Sequence, residues 1–229
     1  MTSVAIPRYI AVEGPIGVGK TSLTRRLAAS LGAAALYEGA ADNPFLPQYY
    51  ADPKRYALAT QLHFLCQRTQ QLQPYTQPDL FAPPMVADFM FDKDRLFAKI
   101  ALDTHEYDLY DEIFKRFAPQ VPTPDLVIYL AAPLANLRAR IKRRGIAYEQ
   151  AIDDSYLQRL CDEYNAFFHL YQAAPVLIVD TTTVNFLDHD EHYGALLVEL
   201  GRKSQGTRAF CTRAAPMPEI VAEETHRAN

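Results

Sequence analysis

The chain has 229 residues, 49% of them apolar, which is enough to bury one sizeable core and short for two independent domains. A formal charge of -4 argues against a protein that grips a polyanion over a broad basic face, because that requires clustered Lys and Arg. Three widely spaced cysteines, Cys66, Cys161 and Cys211, form neither a CxxC pair nor a Cys/His set at metal-ligand spacing, and they read as reduced thiols of a cytoplasmic protein.

Residues 1–7 lack a basic stretch followed by an apolar segment, and no apolar run approaches the roughly 20 residues needed to cross a bilayer. Residues 8–13 (RYIAVE) are a short β-rich run that stops at glycine, and residues 20–31 then place Leu23, Leu27 and Leu31 at helical spacing. A second short strand is expected at 34–38. The helix predicted over 56–72 carries Leu58, Leu62, Leu65 and Leu72 along one stripe that should face the core. Further strands are expected at 84–88 (PMVAD), 125–130 (DLVIYL) and 175–180 (PVLIVD), with a helix at 153–171 bearing Tyr156, Leu160, Tyr164, Phe167 and Phe168. Five short apolar strands alternating with helices predict an α/β fold: a five-stranded parallel sheet with helices on both faces and ligands at the carboxyl ends of the strands. There is no internal repeat, and residues 1–200 read as one domain. From Gly201 the pattern dissolves into Ser, Gly, Thr, Arg, Pro and Glu, so 201–229 is expected to be a tail outside the core.

Gly14-Pro15-Ile16-Gly17-Val18-Gly19-Lys20-Thr21 fits GxxxxGK[ST] and lies between a predicted strand and a predicted helix, the context that motif requires. Such a loop curls so that successive N–H groups point at phosphate, while Lys20 reaches the β- and γ-phosphates of ATP and Thr21 offers a hydroxyl to Mg²⁺. A plain glycine turn between strand and helix is the competing explanation. The cradle alone indicates a nucleoside triphosphate site and not a reaction.

Downstream, Tyr37-Glu38 ends the second strand, and Tyr50, Gln61 and Arg68 follow. Asp88-Phe89 ends the third strand ahead of Lys93-Asp94-Arg95-Leu96-Phe97-Ala98, and Arg140-Ile141-Lys142-Arg143-Arg144-Gly145 closes the helix after the fourth. With the P-loop ahead of them, these motifs resemble the deoxynucleoside kinases over about residues 10–180, in particular the bacterial purine-preferring branch of deoxyadenosine and deoxyguanosine kinases. The resemblance implies the three-layer P-loop kinase fold and ATP-dependent phosphorylation of a deoxynucleoside 5′-hydroxyl, with Mg²⁺, in a homodimer.

Residue by residue, it implies that Glu38 draws the proton from the 5′-hydroxyl, and a carboxylate at a strand end near the γ-phosphate suits that task. It implies that Tyr50, Gln61 and Arg68 bind the nucleoside; Gln61 and Arg68 are seven residues apart and share a helix face. Asp88 would hold Mg²⁺ together with Thr21, and Asp94 would lie near the base. Phe89 departs from the arginine common in the wider family, which puts that arginine's phosphate contact in question, although an Asp-aromatic pair followed by residues 93–98 looks like the bacterial branch. Residues 140–149 look like the lid, with Arg140 and Arg144 folding over the transferring phosphate, although basic residues also suit a last helical turn before a capping glycine such as Gly145. Ile146 replaces a further lid arginine. Glu149 resembles the acid that holds the sugar 3′-hydroxyl with Tyr50. Asn185 and Phe186 fall in the segment that covers the adenine of ATP, where a turn would look the same. The histidines at 189 and 192 have no third partner and read as a solvated helix start.

Two other functions fit the cradle. A nucleoside monophosphate kinase of the thymidylate kinase type needs a cation near the second strand, where this chain has Glu38 and Gly39-Ala40-Ala41-Asp42. A catalytically inactive kinase-like subunit would have no reason to keep Lys20, Thr21, Glu38 and the lid arginines together.

Overall fold

An uninterrupted run of inward-facing side chains builds the first strand, β1 (Tyr9–Glu13), all five residues of which are buried, as a parallel strand covered on both faces demands. The computed structural model describes residues 7–77, 82–202 and 205–210. After β1 come α1 (Lys20–Leu31), β2 (Ala34–Leu36), α2 (Leu46–Ala51), α3 (Pro53–Leu72), β3 (Met85–Ala87), α4 (Lys93–Ala101) and α5 (Thr104–Phe117). They are followed by β4 (Leu126–Ala131), α6 (Leu134–Arg144), α7 (Asp154–Leu170), β5 (Val176–Asp180), α8 (Asp190–Leu200) and β6 (Thr207–Phe210). The strands form one parallel sheet in the order β2-β3-β1-β4-β5-β6. Chain order reverses on either side of β1, which opens a crevice at its carboxyl end where the glycine loop begins.

The sheet has six strands and not the expected five. Residues 207–210 pair with 176–179 of β5, and Phe210 is buried in the main core, so the expected tail does not begin at 201. Four residues with one inward aromatic are too short to show an alternation, and an existing sheet edge is what makes them a strand. Residues 211–229, with Cys211, lie outside the described residues.

The inward face of α3 also differs from the leucine stripe. It buries Ala57, Thr60, Gln61, Phe64, Leu65, Arg68, Thr69 and Leu72, whereas Leu58 and Leu62 are only partly buried. The helix turns a polar strip toward the crevice, and with α2 it makes a second small core of Leu46, Tyr49, Ala57 and Phe64. Pro53 starts α3 where a missing N–H costs nothing, and Gly145 ends α6 at φ 72. Among the described residues no helix is long and apolar enough to cross a membrane.

Candidate active site

At the end of β1 the chain must turn sharply while passing β4 and α6. Gly14 has φ 144, and a Cβ there would lie 2.3 Å from the Leu130 carbonyl oxygen; Gly17 has φ 83, and its Cβ would lie 2.8 Å from Ile141. Neither position accepts a side chain, so the tight turn of the loop depends on glycine at both. Lys20 at the start of α1 curls back to donate to the carbonyls of Gly14 (2.7 Å) and Pro15 (3.4 Å). Its pKa is lowered, chiefly by burial and next by the Lys93 ammonium, with nearby carboxylates opposing.

Thr21 and Asp88, distant in sequence, meet because β1 and β3 are neighbours: the Thr21 hydroxyl donates to Asp88 Oδ2 at 2.6 Å, while Asp88 Oδ1 accepts from the backbone N–H of Glu38 at 2.7 Å. One hydroxyl and one carboxylate side by side are the hard oxygen pair that Mg²⁺ takes when substrate phosphates and waters complete its shell.

The Glu38 side chain projects into the crevice beyond β2. Arg68 of α3 donates to its Oε1 through Nε at 2.9 Å and forms a second ion pair with Asp94. Lys93 of α4 contacts the same Oε1 at 2.8 Å and lies 3.5 Å from Glu13 Oε1. Burial alone would raise the Glu38 carboxyl; Arg68 and Lys93 outweigh it and hold the group well below the usual carboxylate range. Glu13 is fully buried and accepts from the Gly14 N–H (3.0 Å), the Met90 N–H (2.8 Å) and the Tyr164 hydroxyl (3.0 Å). Gln61 Oε1 and Asp94 Oδ2 are buried without a hydrogen-bond partner among the described residues; of the two, Gln61 lines the cavity and offers its acceptor to a ligand.

In the lid, Arg140 lines the same cavity as the glycine loop, and it donates to the Val18 carbonyl (3.0 Å) and to the hydroxyl and carbonyl of Thr181 (2.8 and 3.0 Å), tying the loop to the end of β5. An arginine inside a tight strand end finds carbonyls before it finds solvent. Arg144 forms a two-toothed pair with Glu149 (3.0 and 2.6 Å), so this acid is held by the lid's own cation. Tyr50 stacks on Tyr148 at 5.7 Å, and burial raises its hydroxyl pKa. Asn185 caps a turn through Oδ1 to the N–H groups of Leu187 and Asp188, both at 3.1 Å, and Phe186 is buried with its ring edge near Gly19. His189 is exposed at the start of α8, as expected, whereas His192 is held in the turn, its Nδ1 accepting from the Asn185 N–H at 3.0 Å.

All of these groups except Glu13, Gly14, Pro15, Met90, Asp94, Leu130, Ile141, Tyr164 and the two histidines line one cavity of about 850 Å³, within the range of small-molecule sites. Sequence reasoning gave no role to Glu13, Lys93 or Thr181. Glu13 had a signal, an acid closing an apolar strand directly before the glycine loop. Lys93 had none, because a lysine between Asp92 and Asp94 reads as a solvated helix start.

Residues 10–203 match the sequence profile of the family described as deoxynucleoside kinase. The chain is 35% identical over 184 residues to a deoxyguanosine kinase of Bacillus subtilis, spanning 78% of this chain and 89% of that protein. It is 32% identical over 210 residues to a deoxyadenosine kinase of Lactobacillus acidophilus, spanning 86% and 96%. Among solved structures it resembles the deoxyadenosine kinase from M. mycoides with bound dATP, with a TM-score of 0.74, 25% identity, and coverage of 85% of this chain and 99% of the other.

Proposed function

This chain belongs to the deoxynucleoside kinase family, and on that premise we propose that it transfers the γ-phosphoryl group of ATP to the 5′-hydroxyl of a purine deoxynucleoside, deoxyadenosine or deoxyguanosine, as a step of nucleotide salvage. The observation that carries the reading is the position of Glu38: a partly exposed carboxylate, fixed by Arg68 and Lys93, that shares one cavity with Lys20 and the glycine loop.

The triphosphate lies along the loop from Gly14 to Thr21, exchanging the carbonyls now held by Lys20 for phosphate oxygens. The deoxynucleoside lies between α2, α3 and the lid, its base against Gln61 and Arg68 with Asp94 behind them, where the free Gln61 acceptor suits an exocyclic amino group. Tyr50 and Glu149 take the sugar 3′-hydroxyl once Arg144 releases Glu149. The 5′-hydroxyl donates to Glu38. Its oxygen attacks the γ-phosphorus, the bond from phosphorus to the β–γ bridging oxygen breaks, and ADP leaves with that electron pair. The hydroxyl proton passes to Glu38 and then to solvent. A carboxylate held this far below its ordinary range is a weak base, which suits a loose transition state in which the alcohol keeps its proton until late. Thr21 and Asp88 would hold Mg²⁺, which neutralises charge on the β- and γ-phosphates. Arg143, and Arg144 once it leaves Glu149, are the guanidinium groups at the end of α6 that meet the equatorial oxygens when the lid closes.

ADP release coupled to an indicator reaction, measured with deoxyadenosine, deoxyguanosine, deoxycytidine and thymidine monophosphate, tests the assignment. Turnover with a purine deoxynucleoside is expected, and preference for the monophosphate refutes it. A phosphorylated acceptor would set its dianion against Glu38, which disfavours the monophosphate kinase. We extend the proposal to a cytoplasmic homodimer, in keeping with the family resemblance and with ATP as co-substrate; light scattering checks the dimer.

A further inference from the structure

Position 89 carries phenylalanine where the wider deoxynucleoside kinase family commonly has an arginine, and that ring is completely buried. No cation therefore reaches the acceptor end of the cavity from the end of β3. Positive charge arrives there from the helices instead: Arg68 of α3 is divided between Glu38 and Asp94, and a second cation comes from α4. Lys93, the first residue of α4, turns inward and is 2% exposed; its ammonium lies 2.8 Å from Glu38 and 3.5 Å from Glu13, and it lines the same cavity as Lys20 and Thr21.

Local forces oppose this placement. A basic side chain in a first helical turn meets the positive end of the helix dipole, and burial disfavours an ammonium. Glu13 is a poor reason for it, since that carboxylate already accepts three hydrogen bonds from Gly14, Met90 and Tyr164, and Lys93 stands farther from it than from Glu38. The ammonium has three donors, and Glu38 engages one closely. Lys20 feels it as well, its own pKa being lowered by burial and then by Lys93. Two cations thus flank the path from the glycine loop to Glu38, an arrangement that a phosphoryl group on that path would relieve.

We infer that Lys93 supplies the acceptor-side cation of this site, orienting Glu38 through its 2.8 Å contact and donating a remaining N–H to the phosphoryl group as it reaches the 5′-oxygen, a task that Phe89 cannot perform. The inference rests on the kinase reading above.

The test compares wild type with Lys93→Met and with Lys93→Gln. The glutamine variant can still donate a hydrogen bond to Glu38 without charge, and it serves where the methionine variant does not fold. With whichever of deoxyadenosine and deoxyguanosine the wild type phosphorylates faster, kcat and KM are measured alongside calorimetric Kd values for that nucleoside and its 5′-monophosphate without ATP. Loss of the cation should lower kcat by about 10²-fold, while the KM for ATP and the nucleoside Kd stay within about threefold. The monophosphate Kd should rise by about tenfold or more, the effect of losing one charged contact to phosphate. A purely structural Lys93 would weaken nucleoside and monophosphate alike. An equal loss for both ligands, or an unchanged monophosphate Kd in an active background, overturns the assignment of Lys93. A wild type without nucleoside kinase activity overturns the kinase reading itself.

Discussion

Replacing Glu38 by glutamine keeps the size and much of the hydrogen bonding of the side chain but removes its charge and its capacity to accept a proton. General-base help is typically worth about 10² to 10⁴ in rate. Two features put this site at the lower end: the carboxylate is a weak base between Arg68 and Lys93, and the transition state of phosphoryl transfer is loose. We expect kcat to fall about 10²-fold with the KM for ATP nearly unchanged, because Lys20, Thr21 and the loop amides still hold the triphosphate. Stability should fall too. Breaking a fully buried ion pair costs about 3–5 kcal/mol, but the Glu38 side chain is 19% exposed, Arg68 keeps Asp94 and Lys93 keeps Glu13. The remaining loss is about 1–2 kcal/mol, or about 2–8 °C in thermal midpoint for a chain of this size. ADP-release kinetics and circular dichroism melts read both effects. A variant whose kcat stays within threefold of wild type refutes the role of Glu38, and an unchanged melt refutes the linked ion pairs.

The pH dependence of that stability difference has a definite sign. The folded state holds the Glu38 carboxyl below its ordinary value of 4.5, so the contribution is fully present above that pH and is lost as pH falls below it. The gap between wild type and Glu38→Gln in denaturant titrations should be flat from about pH 8 to 5.5 and should narrow below about 4.5. Lys20→Ala should cost about 10²–10³ in kcat or more with a native circular dichroism spectrum, since its bonds in the free protein are to loop carbonyls that water can serve; near-normal turnover would remove the cradle from the mechanism. Ending the chain after Leu200 should lower the thermal midpoint, because it removes β6 and bares the edge of β5. Phe210→Ala alone should cost about 2–3 kcal/mol, about 5–10 °C, in the same melt, and an unchanged midpoint would show that β6 adds nothing to the core.

The layered α/β fold, five of the six strands and the glycine loop are legible in the chain, because strand–loop–helix context and apolar periodicity are local properties. Glu38, Gln61, Arg68 and Asp94 came only from the family resemblance; the sheet order and α3 gather the first three on one crevice, with Asp94 paired to Arg68 behind it. The tertiary structure decided what depends on neighbours distant in the chain. Residues 207–210 become a strand only against the waiting edge of β5. Arg140 is held by carbonyls of the glycine loop and Thr181 that only the packing of α6 brings within reach. Lys93 reads as a solvated residue until α4 packs beside α3 and turns it between Glu13 and Glu38. A buried charge is fixed by partners from other elements, and no local pattern in a sequence records which partners those will be.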